Sequence, residues 1–289
     1  MNNLSVKKIL LIYSLFVITT NAHAQFCAKS YDSKDFTQFK SSKTYAVKTG
    51  DKKFDTELES ALKEYWQITS YTLINEVQVE DMISDESASF LLPLKVSTTD
   101  GKGFYHFYAL INGGKKKLDK YLYNDLVAYA LINRWGNEST PNLCAPRLRN
   151  MIASMVTAIK IVEDEKIKAA STFGILNELT KYYSKQSSKI KSRTLLINKD
   201  ACGQKFDEND FTQAYPFKYE FCPQDKITKA IASKDTNYYY LQPAISANKM
   251  ILVFDPATGE VVYAGYQAMS MSTSVNKKNI EELAKAIGN

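Results

Sequence analysis

Short apolar runs separated by turn-forming residues divide this chain into predicted strands. In its C-terminal part, the β-branched, aromatic and aliphatic runs that predict strands are Thr194 to Ile197, Lys218 to Phe221, Tyr238 to Leu241, Met250 to Phe254 and Val261 to Tyr263. In its N-terminal part the corresponding runs are Thr44 to Val47, Ser70 to Ile74, Ser89 to Val96 and Phe104 to Ile111. The turn residues from Asp255 to Gly259 predict a hairpin between the last two C-terminal strands.

Helices are predicted between these strands and at the end of the chain. Asp207 can cap backbone N–H groups while Phe206 packs on Phe211, which predicts the start of a helix. Asp225 to Ala232 fits a two-turn helix. Asn276 to Ile287 has its apolar residues on one side and predicts a short C-terminal helix.

The middle of the chain has a helical pattern. Apolar residues recur at helical spacing after Pro146, a favourable first-turn residue, and predict an amphipathic helix over residues 146–163. A second helix is predicted from about Thr172 to Tyr183, and the serines and lysines of Ser184 to Ser192 indicate a linker. The run Leu126 to Ile132 is compatible with a buried strand and with a helix.

The predicted elements occur twice in the same order. The matching segments are Lys43 to Val47 with Arg193 to Ile197, Phe54-Asp55 with Phe206-Asp207, Ala61 to Leu73 with a shorter stretch containing Tyr215 to Phe221, the polar segment ending in Ile83 with the one ending in Ile231, and Ser89 to Pro93 with Tyr239 to Pro243. The first and last matches are both offset by 150 residues. Because ordered matches at a nearly constant offset rarely arise by chance, the sequence indicates a duplicated unit.

Each copy is therefore predicted to be a β-α-β-α-β-β unit, giving an α/β (α+β) fold with mixed sheets. We expect the first unit over residues 25–117, a central helical segment and linker over 118–192, and the second unit with the C-terminal helix over 193–289. At the level of topology, this architecture resembles the small duplicated domains of bacterial envelope assembly and secretion proteins. That resemblance implies a role in the cell envelope.

Residues 1–24 predict a cleavable signal peptide. Lys7 and Lys8 precede an apolar stretch from Ile9 to Thr20, and Ala24 ends a small-x-small cleavage pattern. The stretch is shorter than the roughly 20 residues that a membrane span needs. We therefore expect a soluble mature protein, periplasmic or secreted. Cleavage lowers the net charge from +6 to +4, which does not indicate a nucleic-acid partner.

All four cysteines follow the predicted cleavage site, and an even number in an exported chain favours two disulfides. Cys202 leaves the first strand of a predicted β-α-β unit and Cys222 ends the second, so both are expected at one edge of the sheet. This topology ranks Cys202–Cys222 first and leaves Cys27 with Cys144.

Several kinds of catalytic chemistry lack the residues they require. After cleavage, His106 is the one remaining histidine, and alternation places it on a strand face without a neighbouring nucleophile. The chain lacks G-x-G-x-x-G, P-loop and H-E-x-x-H motifs, so we expect no cofactor and no metal.

Paired carboxylates are the remaining catalytic candidates, because two acids can perform glycoside hydrolysis. The candidates are Asp81, Asp85, Glu86, the run Glu163 to Glu165, Asp207 and Asp210. Asp207 and Asp210 fit a helix N-terminus, where acids are favoured, and the Glu163 to Glu165 run fits a solvated helix end.

Tyrosines on predicted strands are the candidate binding residues. Tyr105, Tyr108, Tyr238 and Tyr240 belong to aromatic-rich runs, and exposed tyrosines are favourable contact residues, although strand aromatics more often pack against each other. We expect a non-catalytic exported binding module whose cleft or sheet edge contacts an envelope protein or a glycan. The alternative is a carboxylate-dependent hydrolase of an extracellular polymer, which would bring two acids from separate segments into one pocket.

Overall fold

The computed structural model describes residues 26–97, 104–114, 117–118, 121, 125–135, 145–245, 249–267 and 274–289. The predicted signal peptide at residues 1–24 lies outside this part of the chain. Of the helices within it, none is both long enough and apolar enough to cross a bilayer.

Helices and strands are numbered here in chain order. The helices are α1 (Lys34–Ser41), α2 (Lys52–Tyr65), α3 (Val79–Met82), α4 (Ala145–Asp164), α5 (Thr172–Ser184), α6 (Glu208–Ala214), α7 (Gln224–Ala232) and α8 (Lys277–Gly288). The strands are β1 (Phe26–Ala28), β2 (Lys43–Lys48), β3 (Tyr71–Asn75), β4 (Ala88–Ser97), β5 (Phe104–Asn112), β6 (Leu126–Trp135), β7 (Thr194–Ile197), β8 (Tyr219–Phe221), β9 (Tyr238–Ile245), β10 (Lys249–Phe254) and β11 (Val261–Gln267). Short 3-10 helices cover Glu76–Gln78, Ser187–Ser192 and Asp200–Cys202.

The strands form two mixed sheets. The first has the order β1-β6-β5-β4-β2-β3, and the second has the order β11-β10-β9-β7-β8. In the first sheet, β2 is parallel to β3 and β4, whereas β4, β5 and β6 pair antiparallel. In the second, β7 is parallel to β8 and β9, whereas β9, β10 and β11 pair antiparallel. The predicted α+β fold with mixed sheets is confirmed.

The two sheets share strand order and strand direction over five strands each. Thr44 of β2 lies opposite Tyr71 of β3, and Leu195 of β7 lies opposite Tyr219 of β8. The correspondence of Tyr71 with Tyr219 is the one found in the sequence. In the paired strands Leu195 corresponds to Thr44, so the offset between these two residues is one residue more than the 150 found in the sequence. Common descent of the two halves stays a prediction.

Local side-chain contacts explain where the helices begin. The carboxylate of Asp207 accepts hydrogen bonds from the N–H groups of Asn209 at 2.7 Å and Asp210 at 3.2 Å, directly before α6. The rings of Phe206 and Phe211 lie 6.1 Å apart, as the predicted hydrophobic contact requires. Asp51 caps α2 in the same manner, accepting from the N–H of Phe54 at 2.8 Å.

In the middle of the chain, the structure decides one open alternative and differs from the prediction at one other place. The ambiguous run from Leu126 is strand β6, which pairs with β5 and β1 in the first sheet. The predicted linker Ser184 to Ser192 contains a 3-10 helix anchored by Ile190, which is fully buried. The hydroxyl of Ser187 donates to the carbonyl of Ala286 at 2.7 Å, so this segment packs against the C-terminal helix.

Buried apolar side chains form two clusters. The shared core joins the first sheet, α2, α4 and α5 to one face of the second sheet, including Leu196, Tyr240 and Leu252. The second core covers the opposite face of the second sheet, including Leu195 and Ile251, with α6 and α8 packed on it. Alternation along the strands of the second sheet therefore sends neighbouring side chains into different cores.

Candidate functional site

Strand β8 is an edge of the second sheet, and among the described strands it pairs only with β7. The C=O of Lys218 accepts a hydrogen bond from β7 at 3.0 Å, and the N–H of Cys222 donates to β7 at 2.9 Å. Because backbone groups alternate in direction along a paired strand, the N–H and C=O groups of Tyr219 and Phe221 point away from β7. This edge therefore presents backbone donors and acceptors outward.

A row of aromatic side chains follows the same edge. Tyr215, Phe217, Tyr219 and Phe221, here called the aromatic row, occupy every second position. The rings of Tyr215 and Phe217 lie 5.5 Å apart, and those of Tyr219 and Phe221 lie 5.3 Å apart. Tyr215 is buried, whereas the other three are half-buried at the margin of the second core. The row thus continues the core to the molecular surface.

Phe211 of α6 fixes the aromatic row from beneath. Its ring is fully buried and lies 4.9 Å from the ring of Tyr219 and 5.5 Å from that of Phe221. The hydroxyl of Tyr219 is 2.8 Å from that of Thr212, also on α6. Contacts with a helix hold the rings in place, so little side-chain entropy remains to be lost on binding.

Ion pairs flank the aromatic row. The ammonium of Lys199 lies 2.7 Å from Glu208 and 5.7 Å from the ring centre of Phe221. The ammonium of Lys226 lies 2.6 Å from the carboxylate of Glu220. Because side chains alternate along β8, Glu220 lies on the strand face opposite to Tyr219 and Phe221. Charged residues beside an edge strand discourage unspecific pairing, and here they border an apolar strip.

The predicted binding tyrosines of β9 have different environments. Tyr238 is half-buried, with the ammonium of Lys226 5.0 Å from its ring centre. Tyr240 is only 3% exposed, and its ring stacks on Phe254 at 5.2 Å and 11°. The amide of Asn150 donates to its hydroxyl at 3.2 Å. Tyr238 thus keeps some ring surface, whereas Tyr240 belongs to the contact between β9 and α4.

The predicted binding tyrosines of β5 lie in the other sheet, so the structure does not gather the four into one patch. Tyr108 is fully buried against Phe54, with ring centres 6.1 Å apart, and burial raises the pKa of its hydroxyl. Tyr105 pairs through its backbone with Val96 and Arg134, but its side chain lies outside the described residues. A binding role for these tyrosines stays a prediction.

The predicted Cys202–Cys222 disulfide is absent, since both residues are free thiols in this structure. Both lie at the same end of the sheet, as expected, but Cys202 packs in the second core and Cys222 in the shared core. The thiols therefore occupy opposite faces, which prevents a bond. Burial raises the pKa of Cys202 to about 12 and also raises that of Cys222. The predicted Cys27–Cys144 disulfide lies outside the described side chains.

One pocket brings together acids from separate segments. Asp35 of α1, Glu86 of the turn before β4 and Asp125 before β6 line a pocket of about 190 Å³. Its floor includes Asn112, whose amide donates to the C=O of Asp35 at 2.8 Å. Gly113 follows, and a Cβ there would lie 2.0 Å from a backbone oxygen. Lys34 also lines this acidic pocket, and the carboxylate of Asp35 lies 3.0 Å from the ammonium of Lys29. The pocket thus brings together acids from separate segments, as the hydrolase alternative requires.

Other predicted carboxylates bind nearby backbone groups or form ion pairs. Asp85 accepts hydrogen bonds from the N–H and hydroxyl of Ser87 at 2.8 and 2.7 Å, and these bonds lower the pKa of Asp85. Asp207 caps α6, and Glu163 pairs with Lys40 at 2.8 Å. Within the described part of the chain, no group of three or more His, Cys, Asp or Glu side chains is placed to hold a metal ion. The side chain of His106 lies outside that part.

The aromatic row is the feature that sequence reasoning missed, although its alternation of aromatic residues from Tyr215 to Phe221 is visible in the sequence. Only Lys218 to Phe221 was predicted as a strand, so the two-residue period was not followed back to Phe217 and Tyr215. No protein-family model, curated protein or solved structure matches this chain. Its function must therefore be inferred from the geometry of these sites.

Proposed function

We propose that this protein is exported to the bacterial cell envelope and acts there as a non-catalytic module that binds an extended segment of a partner protein. The predicted signal peptide supports the location, and the β8 edge supports the mode of binding. One observation carries the proposal: outward backbone groups and the half-buried rings of Phe217, Tyr219 and Phe221 lie on the same sheet edge.

An extended segment added beside β8 would satisfy both features. Its backbone would hydrogen-bond with the outward groups of Tyr219 and Phe221, which supplies affinity independent of sequence. Alternate side chains of the segment would contact the aromatic row, which supplies specificity. Because Phe211 and α6 already fix the rings, binding would order few additional side chains.

A glycan partner would use this edge differently. Sugars have no backbone ladder to extend, so a glycan would contact the ring faces and leave the outward N–H groups of β8 unused. Removal of one N–H group therefore separates the two kinds of partner.

Two variants at one position test the proposal. Tyr219→Ala removes a ring and keeps the N–H group, whereas Tyr219→Pro removes both, and proline is tolerated where an edge N–H faces away from the sheet. The tagged mature protein is cross-linked in its own envelope and recovered. We expect the native chain to recover one stoichiometric protein partner and Tyr219→Ala to recover less of it. Tyr219→Pro should recover at least about tenfold less than the native chain, because it also removes one backbone hydrogen bond to the partner segment and disturbs the register of that segment.

The first sheet supplies the matched control. Tyr71 occupies the same position on the edge strand β3, so Tyr71→Ala and Tyr71→Pro impose the same changes away from the aromatic row. Both should leave recovery unchanged, with thermal unfolding confirming that every variant is folded. Equal recovery of the partner by native protein and Tyr219→Pro would remove the β8 edge from consideration. Equal losses of the protein partner with Tyr219→Ala and Tyr219→Pro would mean that the partner contacts the ring and does not pair with the outward N–H group of β8.

A second candidate function is carboxylate-dependent hydrolysis of an extracellular polymer, favoured by the convergence of Asp35, Glu86 and Asp125 in the acidic pocket. The test is release of new reducing ends from envelope polysaccharide by the purified mature protein. Hydrolysis should fall at least about a hundredfold in Asp35→Asn or Asp125→Asn, the magnitude typical of a lost acid or base. Glu76→Gln, an exposed acid outside the pocket, is the control. No release by the native protein rules this candidate out.

A further inference from the structure

Another cavity lies away from both the β8 edge and the acidic pocket. It is an open cleft of about 490 Å³ between the 3-10 helix Ser187–Ser192 and the hairpin that joins β10 to β11. This volume falls within the roughly 300 to 1,000 Å³ of small-molecule sites. Its walls are mostly polar, with Ser188 and Ser192 on one side. A ligand of this cleft must therefore be hydrophilic.

One arginine of the cleft is held rigidly. Nη1 of Arg193 lies 2.8 Å from the carboxylate of Asp255, which is 8% exposed. The guanidinium also stacks over the ring of Tyr239, 4.7 Å from its centre. Among the described contacts, Nη1 is the guanidinium nitrogen that donates a hydrogen bond. Arg193 is thus oriented while part of its donor fork remains for a ligand.

Two lysines add positive charge beside Arg193. Lys189 lies 3.4 Å from Glu260, and both side chains are substantially exposed, so this pair is weak. Lys191 donates to the C=O of Gly288 at 3.1 Å and has no carboxylate partner among the described residues. Three cations therefore face two acids, and the cleft has an excess of positive charge.

We propose that this cleft binds a small hydrophilic ligand bearing a carboxylate or phosphate group, such as an acidic or phosphorylated sugar. The anionic group contacts Arg193 and Lys189, displacing Lys189 from its weak pair with Glu260. The hydroxyls of Ser188 and Ser192 contact the hydroxyl groups of the ligand. This site shares no residue with the β8 edge, so it stands independently of the function proposed above.

Titration calorimetry with three sugars tests the site. D-Glucuronate and D-glucose 6-phosphate present the two anionic groups on one scaffold, and D-glucose is the neutral control. We expect at least one anionic sugar to bind at least about tenfold more tightly than glucose, with affinity falling as salt rises. The stronger of the two anions identifies the natural group as carboxylate or phosphate.

Variants locate the bound anion. Lys189→Gln should weaken binding about tenfold, whereas Lys185→Gln, an exposed lysine outside the cleft, should not. Arg193→Gln should abolish binding; because it leaves Asp255 unpaired, Arg193→Gln/Asp255→Asn is measured beside it. If both Arg193 variants fail to fold, Lys189→Gln alone decides. Absence of binding by both anionic sugars at millimolar concentration, or equal affinity of native protein and Lys189→Gln, would overturn the proposal.

Discussion

The two sheets share a strand order but differ in how their faces are buried. Neighbouring residues along β4 and β5, such as Phe90 and Leu91, belong to the one shared core although they alternate in direction. In the second sheet, Leu195 and Ile197 face the second core while Leu196 faces the shared core. The second half thus has a core of its own, at the face that carries the aromatic row and the cleft around Arg193. One topology supports two surfaces because the packing around it differs.

Matched substitutions in the two cores test this difference between the halves and have the largest expected effect. Ile159 of α4 lies in the shared core and Ile280 of α8 in the second core, and both are essentially unexposed. Ile159→Ala and Ile280→Ala should each lower the free energy of unfolding by about 2–5 kcal/mol, because each leaves a cavity.

Amide hydrogen exchange distinguishes the two variants. Ile159→Ala should reduce protection in β4 and β10 alike, whereas Ile280→Ala should reduce it mainly in β10 and its neighbours. Equal loss in β4 and β10 with Ile280→Ala would mean that the second core has no independent stability.

Two glycines that both have a positive φ angle sharpen the contrast between the halves. Gly259, with φ +72°, lies where an added Cβ would be 2.6 Å from the Cβ of Ala153 and 3.0 Å from the Cα of Asn150. Gly50, with φ +84°, has no atom within 4 Å of that position. Gly50→Ala should cost about 1 kcal/mol for its backbone, and Gly259→Ala about 2–4 kcal/mol because the hairpin must also move from α4. Chemical denaturation measures both. Equal costs would mean that the hairpin is not tightly packed on α4.

Elements set by local signals were predictable from the sequence. Strand β7 has the predicted bounds because its β-branched and aliphatic run is bordered by the polar residues Arg193 and Asn198, and α6 begins directly after the predicted cap Asp207. The residues from Asp255 to Gly259 also predicted a turn, because residues of these types favour turn geometry directly. These features depend on contacts within a few residues.

Features set by distant contacts were not predictable in the same way. Ile190 lies in a serine- and lysine-rich segment, and only packing against α8 makes that segment a wall of the cleft. Cys202 and Cys222 were expected at one sheet end, but the face each thiol occupies depends on which core reaches it. The acidic pocket likewise joins Asp35 to Asp125, 90 residues apart, through the pairing of strands.

A buried lysine provides a pH-dependent comparison. Lys249 is fully buried at the start of β10, and its ammonium donates to the C=O of Ser274 at 2.5 Å and to Asn279 at 3.1 Å, without an acidic partner among the described residues. Burial lowers the pKa of Lys249 from 10.5. The unfolded chain therefore binds more protons between the lowered pKa and 10.5, and stability rises with pH across that window.

Comparison of the native chain with Lys249→Met isolates this effect. The difference in unfolding free energy should shift toward the native chain as pH rises, by at most about 1.4 kcal/mol per pH unit. Lys29→Met, which removes a half-exposed lysine paired with Asp35, shows how the loss of a lysine charge outside the core changes the unfolding free energy. A pH-independent difference for Lys249→Met would show that the ammonium is not destabilised by burial.

The smallest expected effect comes from an ion pair that joins the two halves. The ammonium of Lys234 lies 2.6 Å from Glu64 of α2, and both side chains are partly exposed. Burial raises the pKa of Glu64, but the hydrogen bonds from Lys234 and Tyr65 and the charges of Lys234 and Arg149 together outweigh it and leave the pKa below its ordinary 4.5. The pair therefore stabilises the fold above pH 4.5, and its contribution is lost as pH falls through the lowered pKa.

A double-mutant cycle with Glu64→Gln and Lys234→Met should give a coupling of about 0.2–1 kcal/mol at neutral pH that vanishes in acid and in high salt. The pair Glu220–Lys226 within the second half, also at 2.6 Å, is the reference cycle. If the halves move relative to each other, the coupling of Glu64 with Lys234 will be near zero while that of the reference pair persists.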